Sequence, residues 1–206
     1  DTEAGAPRPQ PEELIQPLDQ ATIASLRRFT PEAMRRRVVA KGERAYSSRA
    51  LLDSVLPGHA ADLAPVIGHG MSQDLEHAAP IGNPHGFSVE WLRIAPGQTV
   101  GPFRLQEKQV LLVFEGAVSM RLDGGAPTRA ESQEVFSVPA AAWRSIESVG
   151  GVAAEIAVVT AGDHKKHPQW SDEIIAAAAA AGLGVDHSGY VAPRRLLPPE
   201  PQPHAA

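Results

Sequence analysis

Two spaced sets of residues hold the chemistry this chain can offer. The first runs Gly97, Phe103, Leu105, Gln109, Gly116; the second runs Gln133, Pro139, Ala140, Ala141, Arg144, Ser148. Gln109 contributes a neutral amide, and Arg144 a permanent cation with a planar fork of donors. Neither is a nucleophile or a base. Such a pair binds rather than reacts, and a small anionic metabolite bearing a carboxylate or phosphate is the ligand it fits. Phe103, Leu105 and Trp91 would supply apolar surroundings, so the candidate ligand-binding set is Gln109, Arg144, Phe103, Leu105 and Trp91. No catalytic residue is assigned.

Other chemistries find little support. Cysteine is absent, which removes disulfides, thiol catalysis and thiolate metal sites and is compatible with a cytoplasmic protein. There is no GxSxG elbow and no glycine-rich phosphate loop between a strand and a helix. Of the eight histidines, His59, His69, His77 and His85 fall in a Gly/Pro-rich connector without HxH or HExxH spacing. His164 and His167 flank two lysines and read as surface residues, while His187 and His204 lie in the tail. His85 is the one histidine placed to act as a pocket acid or base, with Tyr190 as a loop-borne partner. No metal and no cofactor is expected.

The elements that must position these residues are mostly strands. Phe87, Val89, Trp91 and Arg93 alternate with Ser88, Glu90, Leu92 and Ile94, a period of two. Further strands are expected at about 100–105, 109–115, 117–122, 134–138, 143–148 and 152–160, with Asp123-Gly124-Gly125 turning the chain between two of them. Before them, Asp19 and Thr30-Pro31-Glu32 read as helix starts, and a third short helix is expected around 48–55. Met34, Val38 and Val39 would be the apolar stripe of the second helix. After the strands, Ser171 caps a helix over 172–181 that Gly182 ends, and the apolar tail Gly189 to Pro193 should dock on the body.

The spacing of the two residue sets resembles the two motifs of the cupin family. In that family His, His and Glu occupy positions 103, 105 and 109, Gly occupies 133 and 141, His occupies 144 and Asn occupies 148. The resemblance implies a mainly β fold, a cupin-type double-stranded β-helix (jelly-roll) barrel, here with an N-terminal helical extension and a C-terminal helix. It also implies pairing of two copies through their sheets. The metal site that the family carries is lost, because phenyl and isobutyl groups offer no lone pair, an amide oxygen is neutral and a guanidinium repels a cation. Metal-independent epimerases and isomerases of this fold use a His base and a Tyr acid inside the barrel, whereas Tyr46 and Tyr190 both lie outside the strands.

The expected organisation is a Pro-rich linker at 1–17, a helical or irregular extension at 18–85, the barrel at 86–162, a C-terminal helix and docking tail at 163–197, and a Pro-rich tail at 198–206. Linker-like ends suggest a module within a larger polypeptide, joined to a catalytic domain. Net charge is −5, but residues 27–49 carry eight basic side chains against Glu32 and Glu43, about +6, leaving about −11 elsewhere. With only Phe29 and Tyr46 as aromatics, and neither inside the Arg35-Arg36-Arg37 run, that segment is expected to fold back on an acidic barrel rather than meet nucleic acid. No apolar run is long enough to cross a membrane.

Inside an apolar barrel Arg144 needs a partner. Glu90 or Glu155 would make a plugged structural core; an open mouth would let a ligand take that place. The function that follows is a metal-free module for oligomerisation, scaffolding or sensing of a small anionic ligand. The alternative is a metal-independent, isomerase-like enzyme with a loop-borne acid and base.

Overall fold

The computed structural model describes residues 19–25 and 29–198. The proline-rich ends therefore lie outside the described residues, Pro198 apart, as do Leu26, Arg27 and Arg28. The chain divides into two units, residues 1–38 and 39–206.

In the first unit, helix α1 (Gln20–Ser25) starts at Asp19, whose carboxylate accepts the Thr22 amide at 2.7 Å. Helix α2 (Pro31–Arg35) starts at Thr30, whose hydroxyl accepts the Ala33 amide at 3.1 Å, with Pro31 in the first turn. Both capping expectations hold. The stripe expected on α2 is not buried: Met34 and Val38 are exposed.

The second unit is built on two facing five-stranded antiparallel sheets, with orders β1-β2-β9-β4-β7 and β10-β3-β8-β5-β6. The strands of the first are β1 (Ala61–Ile67), β2 (Phe87–Ile94), β4 (Gln109–Glu115), β7 (Val135–Val138) and β9 (Ala154–Ala161). Those of the second are β3 (Thr99–Arg104), β5 (Ala117–Leu122), β6 (Thr128–Glu131), β8 (Arg144–Ser148) and β10 (Gln169–Trp170). Apart from the neighbouring pairs β1–β2 and β5–β6, consecutive strands alternate between the sheets, which is the double-stranded β-helix of the cupins. Period-two alternation sends one side of each sheet inward. Leu92, Ile94, Leu111, Val113, Ile156 and Val158 of the first sheet face Val100, Phe103, Val118, Met120 and Ile146 of the second, none more than 2% exposed. Each contributes on the order of 1.5–3 kcal/mol by leaving water, before conformational entropy is set against it.

Three differences from the sequence reading have physical causes. Residues 18–85 are not wholly helical or irregular, because β1 lies within them and pairs antiparallel with β2 from Ala61↔Ile94 onward. Its run Ala-Asp-Leu-Ala-Pro-Val-Ile lacks alternation because it is covered on both faces, and Pro65 is tolerated because β1 is an edge strand whose register shifts between Pro65 and Ile67. The third helix shrinks to a 3-10 turn, Leu52–Val55. The short strands β6 and β10, and the hairpin of β11 (Leu183–Val185) and β12 (Val191–Pro193), carry too few residues to show a period.

The C-terminal helix α3 (Asp172–Ala180) is capped by Ser171, whose hydroxyl accepts the Ile174 amide, and ends at Gly182 with φ +78°. The tail docks as expected: the Val191 amide donates to the Gln73 carbonyl at 2.9 Å.

The turn geometry of the two motifs survives where their glycines do not. Gly97 and Gly116 have φ of +69° and +73°, and at Gly116 an added Cβ would stand 2.9 Å from the Ala153 carbonyl oxygen. Gln133 and Ala141 occupy the other two glycine positions of the frame and still adopt φ of +72° and +61°. The left-handed region is unfavourable for both side chains.

Candidate functional site

Phe103, Leu105, Gln109 and Arg144 come together inside the barrel, none more than 2% exposed. In the β3–β8 ladder Phe103 is the direct partner of Arg144, and on its other side it pairs with Trp170 of β10. The Arg144 guanidinium carbon lies 5.4 Å from the Phe103 ring centroid, and the Phe103 and Trp170 rings are 5.4 Å apart.

Arg144 reaches from the second sheet to the first and donates an η nitrogen to Gln109 Oε1. Its Nε and other η nitrogen donate to the Ala142 carbonyl at 3.2 and 2.9 Å. Gln109 Nε2 in turn donates to Thr160 Oγ1 at 3.0 Å. The cation is thus held by neutral acceptors, and burial pulls its pKa down to about 10.

The expected carboxylate counter-ions are engaged elsewhere. Glu90 is fully buried and accepts the Met71 and Ser72 amides at 2.8 and 3.1 Å; burial pushes its carboxyl up, against those amides and the nearby Lys165 and Lys166. Glu155 lies on the outer face of the first sheet. It accepts Tyr46 Oη at 3.0 Å and pairs with Arg44 at 2.9 Å and Lys41 at 3.3 Å. Burial acts to raise the Glu155 pKa, but Tyr46, Lys41 and Arg44 together hold it below the ordinary range. The sequence reading missed that a carboxamide, itself held by Thr160, and a main-chain carbonyl can satisfy Arg144, since no local pattern marks a main-chain partner.

Trp91 does not join the interior. Strand β2 turns Ser88, Glu90, Leu92 and Ile94 inward, leaving Trp91 on the outer face, where Arg44 stacks 3.5 Å from its ring centroid and Phe114 lies at 4.6 Å. Part of the basic segment does fold back on the barrel, through Lys41 and Arg44.

His85 and Tyr190 have separate surroundings. His85 bonds the Asn83 carbonyl and sits 5.9 Å from Phe87, whereas Tyr190 lies under Lys165 at 4.9 Å. Of the other connector histidines, His59 pairs with Asp53 and His77 with Asp74, each at 3.3 Å. Among the described residues no group of three or more His, Cys, Asp or Glu side chains converges as a metal site would require, and no helix is long and apolar enough to cross a membrane.

Outside the closed barrel, the outer face of β2-β9-β4-β7 carries apolar side chains. Phe87, Val110, Phe114 and Val135 are each more than a third exposed, with Leu112 and Val159 half-buried between them.

No protein-family model matches the chain, and no curated protein matches it. Solved structures do. A cupin-2 domain, Rru_A2000 from Rhodospirillum rubrum, is 14% identical over 60% of this chain and 72% of that one, with a TM-score of 0.46. A cupin 2 domain-containing protein from Halorhodospira halophila is 17% identical over 58% and 77%, with a TM-score of 0.43. The polyketide cyclase RemF from Streptomyces resistomycificus is 15% identical over 66% and 88%, with a TM-score of 0.49. At such identities a likeness concerns fold alone and assigns no residue a role. By the order and register of its own strands, the chain carries a cupin-type barrel.

Proposed function

We propose that this chain is a metal-free cupin-like module whose work is assembly. Two copies pair through the outer face of β2-β9-β4-β7 and thereby serve as a scaffold for whatever larger polypeptide contains them. The observation that carries this reading is the row Val110, Phe114 and Val135, left open on a sheet face that is flanked by half-buried Leu112 and Val159. A contiguous apolar face of this kind is a recurrent mark of an interaction surface. A sheet face is self-complementary under a two-fold axis, which suits a homodimer.

The interior supports the same reading by what it withholds. A ligand anion would have to reach a guanidinium that is 1% exposed and already bonded to Gln109 and Ala142. The positions where the motif frame places metal ligands hold Phe103, Leu105, Gln109 and Arg144, a set without an anionic or imidazole donor. Scaffolding is therefore favoured over sensing inside the barrel.

Elemental analysis of the purified protein, with its native mass taken on the same sample, tests the proposal. A dimer with less than about a tenth of an equivalent of any transition metal is expected. Near-stoichiometric metal, or a monomer at roughly 50 µM, would overturn it.

A further inference from the structure

A pocket of about 190 Å³ lies at the β1 edge of the first sheet, where β1 pairs with β2. Ala60, Ala61, Ala95, Pro96 and Ala153 give it small apolar walls. At roughly 30 Å³ for each water-sized group, about six heavy atoms fill such a space.

Two opposite charges line it. Asp62 of β1 and Arg93 of β2 are direct cross-strand partners, so their side chains share one face of the sheet. Both are half-buried, yet among the described residues neither charged group has a hydrogen-bond or ion-pair partner. The Arg93 guanidinium does rest on a ring, its carbon 4.0 Å from the Tyr46 centroid. Stacking engages the face of a guanidinium and leaves the N–H donors on its edge. The cross-strand partner of Arg93 on β9 is Glu155, whose carboxylate is taken by Tyr46, Arg44 and Lys41.

The pocket also holds an unsatisfied hydroxyl. Ser54 Oγ is buried and makes no hydrogen bond among the described residues, a deficit that an occupant can relieve. Part of the lining is pinned by hydrogen bonds. The Ala95 amide donates to the Ala60 carbonyl at 3.1 Å, and the Ala60 amide to Gln98 Oε1 at 3.2 Å. Walls held in this way need little ordering when a ligand arrives.

A simple anion would meet the like charge of Asp62, and a simple cation that of Arg93. A ligand carrying both charges on a small apolar body meets neither penalty. We propose that this pocket binds a small zwitterionic α-amino acid, its carboxylate on Arg93, its ammonium on Asp62 and its remaining polar contact to Ser54 Oγ. The pocket sits at the β1 edge, whereas the row assigned to pairing lies on β4 and β7, so binding is read independently of that assignment.

Calorimetric titration of the full chain with L-alanine and, separately, with propionate and ethylamine tests this. Saturable binding of one L-alanine per chain is expected. Propionate lacks the ammonium and ethylamine the carboxylate, so each should bind at least about tenfold more weakly. Arg93→Gln and Asp62→Asn should each weaken L-alanine about tenfold while the circular dichroism spectrum is retained. If Arg93→Gln unfolds through loss of its stacking on Tyr46, Asp62→Asn decides alone. The absence of saturable L-alanine binding, equal affinity for propionate or ethylamine, or a folded Asp62→Asn variant that binds L-alanine as well as the wild type would each overturn the proposal.

Discussion

Arg144 and Gln109 join the two sheets through the middle of the barrel: the guanidinium leaves β8 and donates to the carboxamide oxygen on β4. The cation has no carboxylate among its hydrogen-bond partners, and both residues are at most 2% exposed. The arrangement predicts an asymmetry. Gln109→Leu removes the acceptor and strands a buried charge, so stability in urea should fall by about 3 kcal/mol. Adding Arg144→Met to Gln109→Leu makes both positions apolar and should return the protein to within about 1 kcal/mol of wild type. Simple additivity of the two substitutions would show that the pair is not coupled.

Gln133 and Ala141 sit at φ of +72° and +61°. Gln133→Gly and Ala141→Gly should each raise stability by about 1 kcal/mol, since glycine reaches this region without steric cost. Asp123, at φ +45°, is the control: its carboxylate accepts the Trp143 amide at 2.9 Å, so Asp123→Gly gains backbone freedom but loses a cap and should give no net increase. Thermal melts of the three variants make the comparison.

Asp53 and His59 predict a pH dependence. Burial raises the Asp53 pKa above its ordinary value, against bonds from His59 and the Gly101 amide. The hydrogen bond to Asp53 raises the His59 pKa above 6.5, against its own desolvation. Both folded-state values lie above the unfolded ones. Their stabilising contribution is therefore complete below the unfolded pKa values and is lost as pH rises through the folded ones. Melting temperature should drop as pH climbs from about 6 to about 8, and His59→Asn should flatten that slope. An unchanged slope in the variant would assign the pH dependence to other groups.

The barrel was legible because its strands repeat with period two and end at turn residues. The central register was legible because Gly97, Gly116 and Pro139 keep motif spacing even where Gln133 and Ala141 replace glycine. What escaped notice was set by tertiary contacts. β1 is covered on both faces, so it shows no alternation, and Pro65 disguised it further. Arg144 was correctly placed inside, but its acceptors are a side chain on the facing sheet and the main chain of Ala142, which no sequence pattern announces. Trp91 was grouped with the interior set by residue type, whereas its parity on β2 directs it outward onto Arg44 and Phe114. The pocket at Arg93 draws residues from positions 48 to 153 and has no local signature.

The pairing face is the central claim, and charge placed on it is the sharpest probe. Val110 and Phe114 are 38% and 44% exposed, so Val110→Glu and Phe114→Glu together should leave the fold intact. Sedimentation equilibrium of wild type and the double variant at roughly 50 µM decides the matter. The account predicts twice the 21.8 kDa chain mass for the wild type and a monomer for the variant. A wild type that sediments as a monomer, or a double variant that remains dimeric, would contradict it.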